Sequence, residues 1–303
     1  MTYRHLFDPK NAPPLPAPSP GAAGDRRDGH VYVYTKPIVL AVNVALATGR
    51  PLLVRGPSGG GKSTLARHAA RVLGWRYYEG VVTSRTQAQD LLWEIDHLRR
   101  LQDAQAKTLK EGLTPYLQPG PLWWAFNRES ALAFGRPDPN QNPEAKADRA
   151  VVLLDEIDKA DPDVPNSLLV PLGSLEFQVP ERDEPVRAGE GRAPFVVLTT
   201  NDERELPAAF LRRCVELVLK PADPDRLVAI GRQHFPDATH PFLRKVADLV
   251  LQAAGTDGQP SPAEYLDAVR ACRNLKIKPG SKLWDDLAQI AIWKHGRARR
   301  AGE

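Results

Sequence analysis

The sequence predicts an α/β fold, with a parallel sheet of five strands flanked by helices and followed by a small all-helical domain. Two observations predict the sheet and a third predicts where it ends. A glycine-rich loop, Gly56-Pro57-Ser58-Gly59-Gly60-Gly61-Lys62-Ser63, lies between a short apolar run and a segment of helical period. Strand, loop, helix is the order in which a phosphate-cradling loop is built. Short apolar runs then recur between helical segments as far as Leu219, as expected of strands covered on both faces. From Pro221 onward these runs stop and helical periodicity alone remains.

In chain order, residues 9–29 are rich in Pro, Ala and Gly and end in Asp25-Arg26-Arg27-Asp28, so residues 1–30 read as a mobile leader. Over residues 35–48, Ile38, Ala41, Val42, Ala45 and Leu46 share one face of a helix. Tyr32 and Tyr34 beside its start fit either a wall for a nucleotide base or core packing. Pro51-Leu52-Leu53-Val54-Arg55 is the first strand, and Leu65, Ala69 and Leu73 mark the helix after the loop. Residues 75–82 read as the second strand. A helix is expected from Thr86 past Leu91, Leu92, Ile95, Leu98 and Leu101, broken at Gly120-Pro121-Leu122, with another over about 122–134. Trp123 and Trp124 within it read as core. Pro137, Pro139 and Pro143 make residues 136–147 a loop.

The third strand, Val151-Val152-Leu153-Leu154, ends in Asp155-Glu156-Ile157-Asp158, the Walker B pattern. A helix over 164–172 follows, then two short strands at 176–180 and 184–187 that read as a hairpin. The fourth strand, Phe195-Val196-Val197-Leu198-Thr199-Thr200, ends in Asn201. A short helix within 206–214 ends in Arg212-Arg213, and residues 215–219 are the fifth strand. Helical segments follow at 225–234, 241–254, 261–273 and 281–295, and Ser261-Pro262-Ala263-Glu264 is a capping box.

The residue types explain the chemistry. Glycines let successive backbone N–H groups close around phosphates, and the helix starting there adds its positive end. Gly56, Pro57, Ser58, Gly59, Gly60, Gly61, Lys62, Ser63 and Thr64 are therefore the nucleotide-binding candidates. Lys62 reaches the β- and γ-phosphates, and the Ser63 hydroxyl ligates Mg²⁺. Asp155, beside the loop, also holds Mg²⁺, and Glu156 orients and deprotonates the attacking water. The competing reading makes these acids caps of the next helix. Asn201 either contacts the γ-phosphate or water, or merely begins a turn.

Composition narrows the setting. The chain has 303 residues and a net charge of +4, with its densest basic stretch at Lys294-His295-Gly296-Arg297-Ala298-Arg299-Arg300. That stretch reads as a solvated tail more readily than as a nucleic-acid contact. Cys214 and Cys272 are the only cysteines and form no C-x-x-C pattern. Met1 leads into no apolar signal segment, and Lys36, Asn43 and Arg50 interrupt the longest apolar region. A reduced, cytoplasmic protein with no membrane span is expected.

The ordered set of motifs resembles the AAA+ ATPases, a branch of P-loop NTPases, and more narrowly the MoxR-like branch. Gly56 to Ser63, Gly120-Pro121-Leu122, Asp155-Glu156-Ile157-Asp158-Lys159-Ala160-Asp161 and Leu206-Pro207-Ala208-Ala209-Phe210-Leu211-Arg212-Arg213 carry the resemblance. It implies an ATP hydrolase of nucleotide-binding domain (31–221) plus helical lid (222–303), assembled as a homo-oligomeric ring, usually a hexamer. Catalysis would then fall to Lys62, Glu156, Asn201 as sensor 1, and Arg213 as the finger offered to the neighbouring subunit, with Arg212 the other candidate. The resemblance also implies an insert at about 90–120 and a hairpin at about 175–190 that contact a protein client, and a partner with a von Willebrand factor A domain. The helix at 261 lacks an arginine at its start, and Arg270 lies two turns on, so no sensor 2 arginine is assigned. Two other readings stay open: a nucleic-acid motor, and a nucleotide switch with little turnover. ATP and GTP are not distinguished by these motifs.

Overall fold

The computed structural model describes residues 3–14, 29–254 and 261–291. Five parallel strands, β1 (Leu52–Arg55), β2 (Arg76–Val81), β3 (Ala150–Asp155), β4 (Phe195–Thr200) and β5 (Val215–Val218), form one sheet in the order β2-β3-β4-β1-β5. Arg55 stands opposite Thr200 and Val81 opposite Asp155, which brings the C-terminal ends of the strands level. The chain leaves β1 for β2 on one side, and leaves β4 for β5 on the other. The loops after β1 and β4 therefore part in opposite directions, and a crevice opens above them.

Both faces of the sheet are covered. Leu52, Val54, Val151, Leu153, Phe195 and Val197 pack against helices α1 (Lys36–Thr48) and α2 (Lys62–Leu73). Leu53, Val152, Leu154, Val196 and Leu198 pack on the other face, against Leu122, Trp123, Leu168 and Phe210. Burial on both sides removes any need for polar alternation, so the strands read as unbroken apolar runs. Trp123 and Trp124 are core, as expected. Beyond β5 the chain forms helices Pro224–His234, His240–Ala254, Pro262–Asn274 and Lys282–Ala291, with a hydrophobic core of their own around Leu227, Leu243, Val246 and Tyr265. The expected basic tail lies outside the described residues. No helix among the described residues is long and apolar enough to cross a membrane.

Several elements differ from expectation. The helix expected from Thr86 to Leu101 is instead a run of turns, a strand at Trp93–Ile95 and a helix at His97–Gln105. The strand pairs antiparallel with Leu117–Pro119. Leu98 and Leu101, named along the expected helix, are 67% and 56% exposed. Asp96 starts the short helix by accepting from the Arg99 amide. Gly120 is required where the chain crosses residues 90–92, since a Cβ there would lie 2.7 Å from the Asp90 carbonyl oxygen. The helix expected over 122–134 is two, Pro121–Phe126 and Arg128–Leu132, divided at Asn127, whose side chain caps the second. The helix expected over 164–172 is likewise two, Asp163–Ser167 and Leu169–Ser174. The hairpin is present but short, Glu176–Phe177 pairing with Val186–Arg187. Glu181, at its tip, accepts from the amides of Leu113 and Thr114 and so fastens it to the preceding insert.

The leader, expected to be mobile over 1–30, is docked at its front; residues 15–28 of it lie outside the described residues. Phe7 is 1% exposed and packs with Ile38 and Val42. The buried Asn43 amide accepts from the Leu6 and Phe7 amides and donates to the Phe7 carbonyl. One side chain thus serves three backbone groups, two of them on the buried Phe7. Asn43→Ala is expected to destabilise the fold by roughly 1–3 kcal/mol. Denaturant titration checks that loss, and hydrogen exchange is expected to quicken at Leu6 and Phe7 before it does in β1.

Candidate nucleotide site

The crevice at the strand ends is a cavity of about 710 Å³. Gly59, Gly60, Gly61, Lys62, Ser63 and Thr64 line one wall, Asp155, Glu156 and Asn201 the floor, and the helical region the other wall through Arg226, His234, Ser261 and Arg270. Residues remote in sequence therefore meet where the topology leaves space.

Each polar group on the floor has defined partners. Lys62 Nζ donates to the carbonyl oxygens of Gly56 (2.7 Å) and Pro57 (2.9 Å) and to Asn201 Oδ1 (2.6 Å). Burial draws the Lys62 pKa below its ordinary value, while the carboxylates of Asp155, Asp158 and Glu156 oppose that shift. Ser63 Oγ donates to Asp155 Oδ1 at 2.7 Å. Thr199 Oγ1 donates to the same oxygen at 2.5 Å and accepts from the Glu156 amide at 2.8 Å. Glu156 has left-handed backbone geometry (φ 61°), which turns the chain sharply out of β3. Its Oε1 accepts from Asn201 Nδ2 (3.2 Å) and its Oε2 from Lys159 Nζ (2.6 Å).

Asp158, 2% exposed, accepts from the amides of Asn201 and Glu203 through Oδ2. Its carboxylate therefore clamps the chain just past β4. It is positioned by the 3₁₀ turn Ile157–Lys159, three residues after Asp155.

Of the two tyrosines left open by the sequence, Tyr34 belongs to the core, with its hydroxyl 3.0 Å from His68 Nδ1 and its ring 5.3 Å from that of Phe7. Tyr32 lines the cavity. Arg212 and Arg213 do not line it; both are exposed in the turn between helix Ala208–Leu211 and β5. The sequence reading gave no role to Thr199, Asp158, Lys159 or Arg226. A threonine pair closing an otherwise apolar strand and the acid and lysine after Asp155-Glu156 were the available signals. Arg226, in a helix starting at Pro224, had none. Arg270 does reach the cavity, but it is paired with Asp267 at 2.8 Å.

A glycine loop opening a helix, two acids ending the third strand and an amide ending the fourth, under a helical region, define a P-loop NTPase of the AAA+ type, an ATP-hydrolysing enzyme that binds nucleotide. The chain belongs to the AAA domain family, dynein-related subfamily, which matches residues 51–214, more than half of its length. Members of this class commonly assemble as rings. Among solved structures, RuvB of Thermotoga maritima, a Holliday junction branch migration motor, is 16% identical at a TM-score of 0.48, with 84% of this chain and 67% of that chain covered. Domain III of the replication initiation protein DnaA of Thermotoga maritima is 12% identical at a TM-score of 0.48, with 90% of this chain and 100% of that chain covered. Likenesses this distant say nothing of substrate or partner. No curated protein matches the chain in sequence.

His68, 7% exposed in α2 behind the loop, has its pKa lowered by burial to about 4. A depressed histidine pKa means that the unfolded chain takes up the proton first. Its contribution is complete above pH 6.5 and is lost as pH falls toward 4. Between pH 6.5 and 5, where most carboxylates stay ionised, stability is expected to fall by on the order of 1–2 kcal/mol through this group. Denaturant unfolding at both pH values checks the drop, which His68→Gln should largely remove.

Proposed function

We propose that the protein is a Mg-ATP-driven remodelling motor of the MoxR-like kind, assembled as a ring, usually a hexamer, with nucleotide at each subunit interface. The observation that carries this reading is the meeting of Lys62, Ser63, Asp155, Glu156 and Asn201 in one cavity. Lys62 supplies positive charge to the β- and γ-phosphates, and the amides at the start of α2 cradle them. Ser63 and Asp155 offer two adjacent oxygen donors of the hard type that Mg²⁺ prefers, so the residues present fit that ion. Held by these two side chains, Mg²⁺ would supply positive charge to neutralise the transferred group.

Glu156 is the group to take the proton from the attacking water, and Asn201, bridging Lys62 and Glu156, aligns the two. Arg213 is solvent-exposed and away from its own cavity, which suits a residue offered to the next subunit. The hairpin and the preceding insert, joined through Glu181, form one surface for a protein client. The partner inferred is a von Willebrand factor A domain protein, in a cytoplasmic setting.

Lys62→Ala is expected to weaken nucleotide affinity by about 10- to 100-fold, the worth of a charge-assisted contact, in a titration with a fluorescent ATP analogue. Glu156→Gln should keep that affinity yet slow phosphate release by about 10²–10⁴. Arg213→Ala should bind ATP normally and lose about 10³-fold or more in kcat; turnover at the wild-type rate would remove Arg213 from the mechanism. Affinity capture on the Glu156→Gln variant with ATP tests the partner, and recovery of nucleic acid in place of protein would overturn that assignment.

A further inference from the structure

The turn that carries Arg212 and Arg213 is held by a residue at the opposite end of the sequence's catalytic core. Helix Ala208–Leu211 has only four residues and ends at Arg212, so the carbonyls of residues 212–214 beyond it have no following helical turn to serve them. The guanidinium of Arg50, just before β1, takes three of the carbonyls that follow. Its Nη2 donates to the Arg212 oxygen at 2.7 Å and to the Cys214 oxygen at 2.6 Å, and its Nε to the Arg213 oxygen at 3.2 Å.

The amides of Arg212, Arg213 and Cys214 are turned the other way, onto the carbonyls of Ala208, Phe210 and Leu211. The Val215 amide bonds to the Pro51 carbonyl at 2.8 Å. The backbone of the turn is thus satisfied on both sides. A planar fork can serve several acceptors at once, which a lysine ammonium on a flexible stem does less well.

The other end of the same strand matters too. Arg55, the last residue of β1, pairs with Asp202 at 2.9 Å and with Glu216 at 3.0 Å. Asp202 follows Asn201 directly, and Glu216 lies on β5. Buried β1 therefore carries a clamp on the arginine turn at its start and a link to the Asn201 segment at its end. It then runs into the phosphate loop.

We propose that Arg50 is a positioning residue for the arginine that this turn offers to the neighbouring subunit, referring its placement to the strand that leads into the protein's own nucleotide site. The proposal rests on Arg213 acting in trans. Arg50 is exposed, so truncating it opens no cavity. Its loss frees the turn without touching Lys62, Ser63, Asp155 or Glu156.

The test uses the assembled full chain with Mg-ATP, comparing Arg50→Ala, Arg213→Ala and the wild type. Arg50→Ala is expected to keep KM and the affinity for a fluorescent ATP analogue, while kcat falls about 10- to 100-fold, the scale of a slightly misplaced catalytic group. Mixing it with Glu156→Gln subunits, whose own sites are silent but whose Arg50 and Arg213 are intact, should raise turnover per Arg50→Ala subunit. A merely structural defect would not be rescued in this way. Wild-type kcat in Arg50→Ala beside an impaired Arg213→Ala would overturn the inference. So would a mixture that rescues Arg213→Ala but not Arg50→Ala. Wild-type turnover in Arg213→Ala would instead overturn the trans arginine itself.

Discussion

One carboxylate oxygen ties the floor of the cavity together. Asp155 Oδ1 accepts from Ser63 at the start of α2 and from Thr199 near the end of β4. Asp155 is 4% exposed, and a buried carboxylate without hydrogen-bond donors would be costly. Three elements are thereby fixed by the need to satisfy one charge. Thr199 extends the chain by accepting from the Glu156 amide, so the acid assigned to the water is oriented by the same hydroxyl that serves its neighbour. The arrangement also holds the Ser63 and Asp155 side-chain oxygens 2.7 Å apart across two elements.

That floor depends on the order of the strands. β3 and β4 are adjacent, and β4 lies beside β1, so Asp155, Asn201 and Lys62 come from three neighbouring strand ends. The buried apolar faces on both sides hold those ends level. The fold therefore supplies the rigid positioning, and the polar groups at the rim supply the chemistry.

Much of this was legible in the sequence because each strand is a short apolar run ending in the residue that matters. The run before Gly56, the pair Asp155-Glu156 and the terminal Asn201 announce themselves by where they stand on such runs. What was not legible follows from two physical causes. The insert around residues 86–120 carries leucines at helical spacing of which Leu91 is buried while Leu98 and Leu101 are exposed, and periodicity cannot tell an exposed leucine from a buried one. Its strand at Trp93–Ile95 has only three residues and exists because Leu117–Pro119 pairs with it, a contact 22 or more residues away along the chain. Arg50 and Arg226 were missed for the second cause. Charged residues on helices and turns usually face water, and nothing local marks the few that reach a carbonyl or a carboxylate.

The helical region is coupled to the phosphate loop by contact rather than by charge. Gly59 has φ +73°, and a Cβ there would stand 2.6 Å from Ser261 Oγ. Ser261 cannot easily yield, because its side chain and amide are both engaged with Glu264 in the capping box that starts helix Pro262–Asn274. That helix is anchored in turn by Tyr265, Ala268 and Val269, all 0% exposed in the shared core of the helical region. The charges it turns toward the cavity are largely matched within the helix, Arg270 by Asp267 and Glu264 by the cap. The Ala263 amide also donates to the Gly59 carbonyl oxygen at 3.4 Å, so the loop meets the first turn of that helix at Gly59. Any side chain at that position would have to push Ser261 out of its cap, which ties the identity of a phosphate-loop residue to the packing of the helical region.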